Sequence, residues 1–217
     1  MNSAELRNAF RQDVDDEVVP YLWSDDEISA YMTDAQRMFA RLTRGIRDAT
    51  SLMCSVDMVP GEAFAEIDKR ILRITRIQRD SDAQPLGIVN IEDMDAQGIR
   101  LDNTQGRVDT VLIGLEPHKL RWVRMPQVAD TASMVVERLP LNAIVSTRST
   151  PLEIDEQHHR ALLMWMEALA YAKQDADTRD ADKAELKDAK FRAYCAAALI
   201  EKGAARHKTR TVRYGGL

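Results

Sequence analysis

Apolar positions along this chain recur with two different periods, and the change from one to the other divides it into helical ends and a β-like middle. The most strongly patterned stretch is residues 152–178, LEIDEQHHRALLMWMEALAYAKQDADT, with a polar start, an apolar stripe and an acidic stop. Leu162, Trp165, Leu169 and Ala172 fall three and four residues apart, with Leu163 and Met166 widening the stripe. That spacing predicts a helix from about Asp155 with one buried face. Trp165, in mid-stripe, needs a partner for its indole N–H if it is buried. The run QDADTRDAD then stops the pattern and offers Asp177 or Asp180 as cap of a final helix over about 180–202. That helix carries Ala184, Phe191, Tyr194 and Ala198 on one stripe, and Gly203 ends it. The two helices form an αα-hairpin.

The N-terminal end reads similarly. Residues 3–14 predict a short amphipathic helix with Leu6, Phe10 and Val14 on one side, and Pro20 helps to break it. Ser24 and Glu27 make a capping box, with Trp23 placed to staple onto Ile28. The stripe Ile28, Met32, Ala35, Phe39, Leu42, Ile46 predicts a helix over 25–48, with Arg37, Arg41, Arg44 and Arg47 on its outer face. From about Ser51 the period becomes two. LMCSVDM, KRILRITRIQ, LGIVNIE, RVDTVLIGL, KLRWVRM and ASMVVERL are separated by turn signals such as Gly61, Gly98 and Met125-Pro126. Val108, Thr110 and Leu112 share one face, and Leu120, Trp122 and Arg124 alternate in the same way. An antiparallel sheet or small sandwich of about five to seven strands is expected.

The expected fold class is therefore α+β. A helical bundle from residues 1–50 and 152–203 carries an inserted antiparallel β domain at 51–151, and residues 204–217 form an extended C-terminal arm. Core packing in the bundle is assigned to Trp23, Ile28, Phe39, Leu162, Trp165, Leu169, Phe191 and Tyr194.

Composition adds two facts. The 217 residues, 45% hydrophobic and 30% charged, describe a soluble folded chain of one well-cored domain or two small ones. No apolar run approaches the ~18 residues of a membrane span, and MNSAELRNAF lacks a signal-peptide core. The net charge of −5 hides an asymmetry: Lys202, Arg206, Lys208, Arg210 and Arg213 give the last sixteen residues +5 with no acid, which leaves −10 for the rest.

Chemistry is sparse. His158 and His159 are adjacent, so on a helix they point about 100° apart and cannot converge on a metal alone. The run from Asp175 to Asp180 resembles the opening of a calcium loop, but Asp180 stands where the glycine belongs and Leu186 where the bidentate glutamate belongs. Cys54 and Cys195 have no CxxC spacing and read as buried free thiols. No nucleotide-binding, nucleophile-elbow or triad pattern is present. No catalytic residue, metal site or cofactor is expected, and the chain reads as a non-enzyme.

The tail, ARHKTRTVRYGGL, is too polar to fold alone. It reads as a solvated terminus, as a nucleic-acid contact through its cations and Tyr214, or as a peptide that docks on a partner. In the last case Arg210 and Arg213 pair with acids while Val212, Tyr214 and Leu217 fill apolar pockets.

The residues also carry a resemblance. Leu22-Trp23-Ser24-Asp25-Asp26-Glu27-Ile28 with Ala35-Gln36-Arg37 and Phe39 resembles the first long helix of tailed-phage head-to-tail adaptor (connector, or head-completion) proteins. His158 or His159, Leu162-Leu163, Trp165, Leu169-Ala170-Tyr171, Asp175-Ala176-Asp177-Thr178 and Asp180 are similar to the same family, as is a basic tail closing on Tyr214-Gly215-Gly216. The likeness covers roughly 20–48 and 152–217. It implies a structural protein of the virion neck, present in the host cytoplasm during assembly, that binds the portal ring and provides the docking surface for tail (nozzle or tube) proteins. It further implies a homo-dodecameric ring through which DNA passes without sequence-specific binding, and no membrane association. The arm residues to which portal binding carries over are Lys208, Arg210, Val212, Arg213, Tyr214, Gly215, Gly216 and Leu217. The alternative reading is a basic-tailed nucleic-acid-binding module.

Overall fold

A computed structural model describes residues 1–98, 101, 103–174 and 178–205. Its helices are α1 (Ser3–Asp13), α2 (Asp25–Leu42), α3 (Ile91–Gln97), α4 (His159–Ala172) and α5 (Ala181–Ala205). Its strands are β1 (Ile46–Asp48), β2 (Ser55–Met58), β3 (Phe64–Glu66), β4 (Ile71–Arg79) and β5 (Gly87–Val89). They continue with β6 (Gln105–Gly106), β7 (Thr110–Ile113), β8 (Lys119–Trp122), β9 (Met125–Pro126) and β10 (Asp130–Arg138). The chain is α+β, with helices at both ends and an antiparallel-rich β region between. Two compact units result: Met1–Arg44 with Asn142–Leu217, and Gly45–Leu141.

In the helical unit α1, α2 and α5 start where a side chain satisfies free N–H groups of the first turn. Asn2 accepts from Ala4 and Glu5 to start α1, and Ser24 accepts from Glu27 N–H at 3.2 Å while Glu27 accepts from Ser24 N–H at 2.9 Å to start α2. Asp180 accepts from Lys183 N–H at 3.0 Å and so starts α5. The core holds Leu6, Phe10, Trp23, Ile28, Met32, Phe39, Leu162, Met166 and Phe191, all fully or nearly fully buried. Leu169 and Tyr194 are half-buried. Trp165 lies 5.3 Å from Phe191 between ring centroids and donates its indole N–H to Asp34 at 2.7 Å. Glu167, buried on α4, pairs with Lys187 of α5. Cys195, 1% exposed, completes this hairpin, and burial pushes its thiol up to about 11. The segment after Asn142 is fastened to α2 by two buried polar side chains. Ile144 N–H donates to Thr33 Oγ1 at 2.8 Å, and Glu153 N–H to Gln36 Oε1 at 2.9 Å.

The expectation of a helix over 25–48 is corrected: α2 ends at Leu42, and Ile46–Asp48 is a strand. Arg44 and Gly45 both take positive φ, +62° and +78°, which no helix continues. Tertiary pairing outweighs the apolar stripe here. β1 pairs with Val136–Arg138 of β10, and the Asp48 carboxylate accepts from Arg138 Nε at 2.5 Å in a nearly dry setting. A Cβ at Gly45 would lie 2.9 Å from the Arg138 backbone nitrogen, so the two strands approach more closely than any other residue permits.

In the β unit, β10 is the spine. β1 and β2 pair along one of its edges and β4 along the other, all antiparallel. A second sheet has the order β3-β8-β7-β5, and β6 pairs with β9. Two pairs, β5–β7 and β6–β9, are parallel, and the described residues contain ten strands in three sheets. The expected antiparallel β region is present, with more strands than the five to seven expected and with two parallel pairs among them. The parallel β5–β7 pair follows from what separates them: a crossover in which Asn90 caps α3 by accepting from Asp93 N–H at 2.7 Å. That helix replaces the end of the strand expected from LGIVNIE. Val56, Ile74, Ile77, Val111, Leu120, Trp122, Met134 and Val136 form the core of this unit. Leu112 is buried as well as Val111, so β7 is covered on both faces.

Candidate functional site

The arm residues Lys208, Arg210, Val212, Arg213, Tyr214, Gly215, Gly216 and Leu217 lie outside the described residues. What the structure shows is their root. Helix α5 runs 25 residues to Ala205, and near its end Lys202 Nζ donates to the Thr43 carbonyl at 3.0 Å. An ammonium at that carbonyl also complements the negative C-terminal end of α2.

A second candidate surface, unforeseen from the pattern, is the turn joining α1 to α2. Val18, Val19, Tyr21 and Leu22 are 79%, 72%, 46% and 48% exposed. The turn is nonetheless tightly braced. Asp16, 3% exposed, accepts from Leu22 N–H at 2.7 Å and from Arg11 Nη1 at 2.6 Å. Arg11 Nη2 also donates to the Trp23 carbonyl at 3.1 Å and to Asp25 at 2.8 Å, and its guanidinium lies 3.6 Å from the Tyr21 ring centroid. Through the Arg11 hydrogen bond the Asp25 carboxyl is held below its ordinary pKa. The signal that could have revealed this turn is four large apolar residues packed around Pro20 directly after Asp15-Asp16-Glu17.

A third is a cleft in the β unit, about 460 Å³, lined by Val56, Asp57, Val59, Glu62, Phe64, Ala65, Glu66 and Lys119. β2 and β3 flank it, and each is the last strand of its sheet.

His158 and His159 make packing and hydrogen-bond contacts within the helical unit. His158 packs on Phe39 at 4.9 Å between centroids and shares a 2.9 Å hydrogen bond with the Tyr194 hydroxyl; burial lowers its pKa. His159 Nε2 lies 2.7 Å from the Ile154 carbonyl, so that nitrogen carries the proton. Among the described residues no group of three or more His, Cys, Asp or Glu could hold a metal, and no helix is long and apolar enough to cross a membrane. The carboxylates that depart from their ordinary range all move down. Lys173 beside Glu27 brings it to about 2, and Arg70 does the same to Asp68. Groups held charged in this way are poor proton donors at neutral pH.

No curated protein matches this chain. The sequence model described as SU10 adaptor protein, however, matches residues 1–214, through both units and into the basic tail. The paired helical ends, the β region between them and the helix-borne tail thus belong to one pattern, and the chain is a member of the SU10 adaptor protein family of phage head-to-tail adaptors.

Proposed function

We propose that the protein is a non-enzymatic neck component that binds the portal ring through residues 204–217 and offers its β unit to tail proteins. In this reading it assembles as a twelve-membered ring around the DNA path. The observation that carries the reading is a basic segment without acids, continuing from α5 on an otherwise acidic body. Such a segment pays its ordering entropy only when it binds, and ion pairs with apolar anchoring at Val212 and Tyr214 offset that cost. The acidic body repels DNA phosphates, which suits a wall past which DNA slides.

Co-sedimentation with portal rings at physiological salt tests this, using the full chain and the variant R210A/R213A/Y214A. Binding by the full chain that falls by about tenfold or more in the variant supports the arm's role. Equal binding by both overturns it. Absence of portal binding, with salt-sensitive DNA binding in its place, would favour the nucleic-acid alternative.

A further inference from the structure

We propose that the cleft between β2 and β3 receives the basic C-terminal segment of a second copy of this chain as an added strand. Three features support this. First, β2 and β3 end their sheets, so each presents N–H and C=O groups that no strand among the described residues takes up. An extended peptide satisfies such an edge. Second, the cleft joins an apolar floor of Val56, Val59 and Phe64 to a rim of Asp57, Glu62 and Glu66. Lys119 lines the cleft too and feels the charge of Glu66, but its ion pair is with Glu116 at 2.8 Å; none of the three rim carboxylates makes an ion pair among the described residues, so the rim stays net negative. Third, the C-terminal end is basic and acid-free over its last sixteen residues, and its polarity alternates with strand period. In an added strand Arg210, Val212 and Tyr214 share one face and Thr211 and Arg213 the other. Extended, the five residues from Arg210 to Tyr214 cover about 17 Å, longer than the four-residue β2 beside which they would lie.

A chain that bears both a basic arm and an acidic cleft is self-complementary in a head-to-tail sense, so each copy can give one arm and accept another. An arm seated in a second copy is not free for the portal, so this pairing belongs to copies that are not yet on a portal ring, and the test accordingly contains no portal.

Sedimentation velocity of the full-length protein is measured from about 1 to 100 µM, a range that spans weak self-association. Two charge-reversed variants are compared with it: E62K/E66K in the cleft and R210E/R213E in the arm. All reversed positions that the structure describes are exposed, and circular dichroism confirms that the variants are folded. The expected result is self-association of the wild type, weakened by about tenfold in each variant alone and recovered when the two variants are mixed. In the mixture each basic arm meets an acidic cleft and each acidic arm a basic cleft. Association that is unchanged in either variant, no association of the wild type, or no recovery on mixing would each overturn the proposal.

Discussion

Replacing Gly45 by alanine tests the close backbone approach of Gly45 to β10. At φ +78° a side chain costs about 1–2 kcal/mol by itself. The new Cβ would also meet Arg138 N at 2.9 Å, Arg138 O at 3.0 Å and the Glu137 carbonyl carbon at 3.0 Å. All three are backbone atoms fixed in the β1–β10 ladder, so no rotamer change relieves the contact, and such overpacking adds about 1–3 kcal/mol. A slightly stiffer unfolded chain returns up to about 1 kcal/mol. The net expectation is a loss of about 2–4 kcal/mol, a large share of the roughly 5–15 kcal/mol that domains possess. Gly114→Ala is the matched control: its φ is +88° but nothing lies within 4 Å of the added atom, so it bears only the conformational cost. Urea unfolding followed by circular dichroism and tryptophan fluorescence gives both values, and Gly45→Ala should shift the midpoint by about 1 M or more relative to the control. Equal midpoints for the two variants would refute the close-approach argument.

Trp165→Phe keeps the ring but leaves Asp34 without its 2.7 Å donor, and should cost about 2 kcal/mol in chemical denaturation. A loss below about 0.5 kcal/mol would mean that water replaces the bond. Asp16→Ala takes the acceptor from Arg11 Nη1 and from the Leu22 N–H while Asp25 still holds Nη2, so a loss of about 2 kcal/mol is expected. Val18→Ser, exposed on the same turn, should stay within about 0.5 kcal/mol of wild type. Glu27 and Asp68 are depressed to about 2, so the stability they contribute is complete above their unfolded values of 4.5 and 3.8. That contribution drains away as the pH falls toward 2. Glu27→Gln should flatten the thermal-stability profile in that window, and an unaltered slope would contradict the assignment to Lys173.

What the chain's pattern revealed was local. The Ser24–Glu27 capping box, the Asp180 cap and the need of Trp165 for a partner follow from side chains within a turn or two, where 3.6-residue periodicity and the chemistry of free N–H groups decide the outcome. What it concealed depends on distant partners. Ile46 continues the α2 stripe in phase, and only the ladder to β10 and the Asp48–Arg138 pair turn it into a strand. The parallel β5–β7 pair is set by a crossover of uneven composition that reads equally as strand or turn. Thr33 and Gln36 look like incidental polar residues on a helix until the returning segment uses them as hydrogen-bond acceptors. The family likeness was visible at the helical ends, in residues such as Trp23 and Trp165, because their caps and aromatics are locally distinctive. The turn at 15–22 was missed because its rigidity comes from Arg11, which reads as an ordinary charge on a short helix.

The two cysteines have a practical use. Both are free, and they fall one to each unit: Cys195 inside the α4–α5 hairpin and Cys54 in the β core. An enclosed thiol does not react with an alkylating reagent until the surrounding structure opens. The chain therefore carries a separate chemical clock for each half. The labelling rate at Cys195 times the opening of the hairpin from which the arm extends, and the rate at Cys54 times the opening of the β unit. A partner that clamps one half and leaves the other free would slow one clock alone, and mass spectrometry would read which.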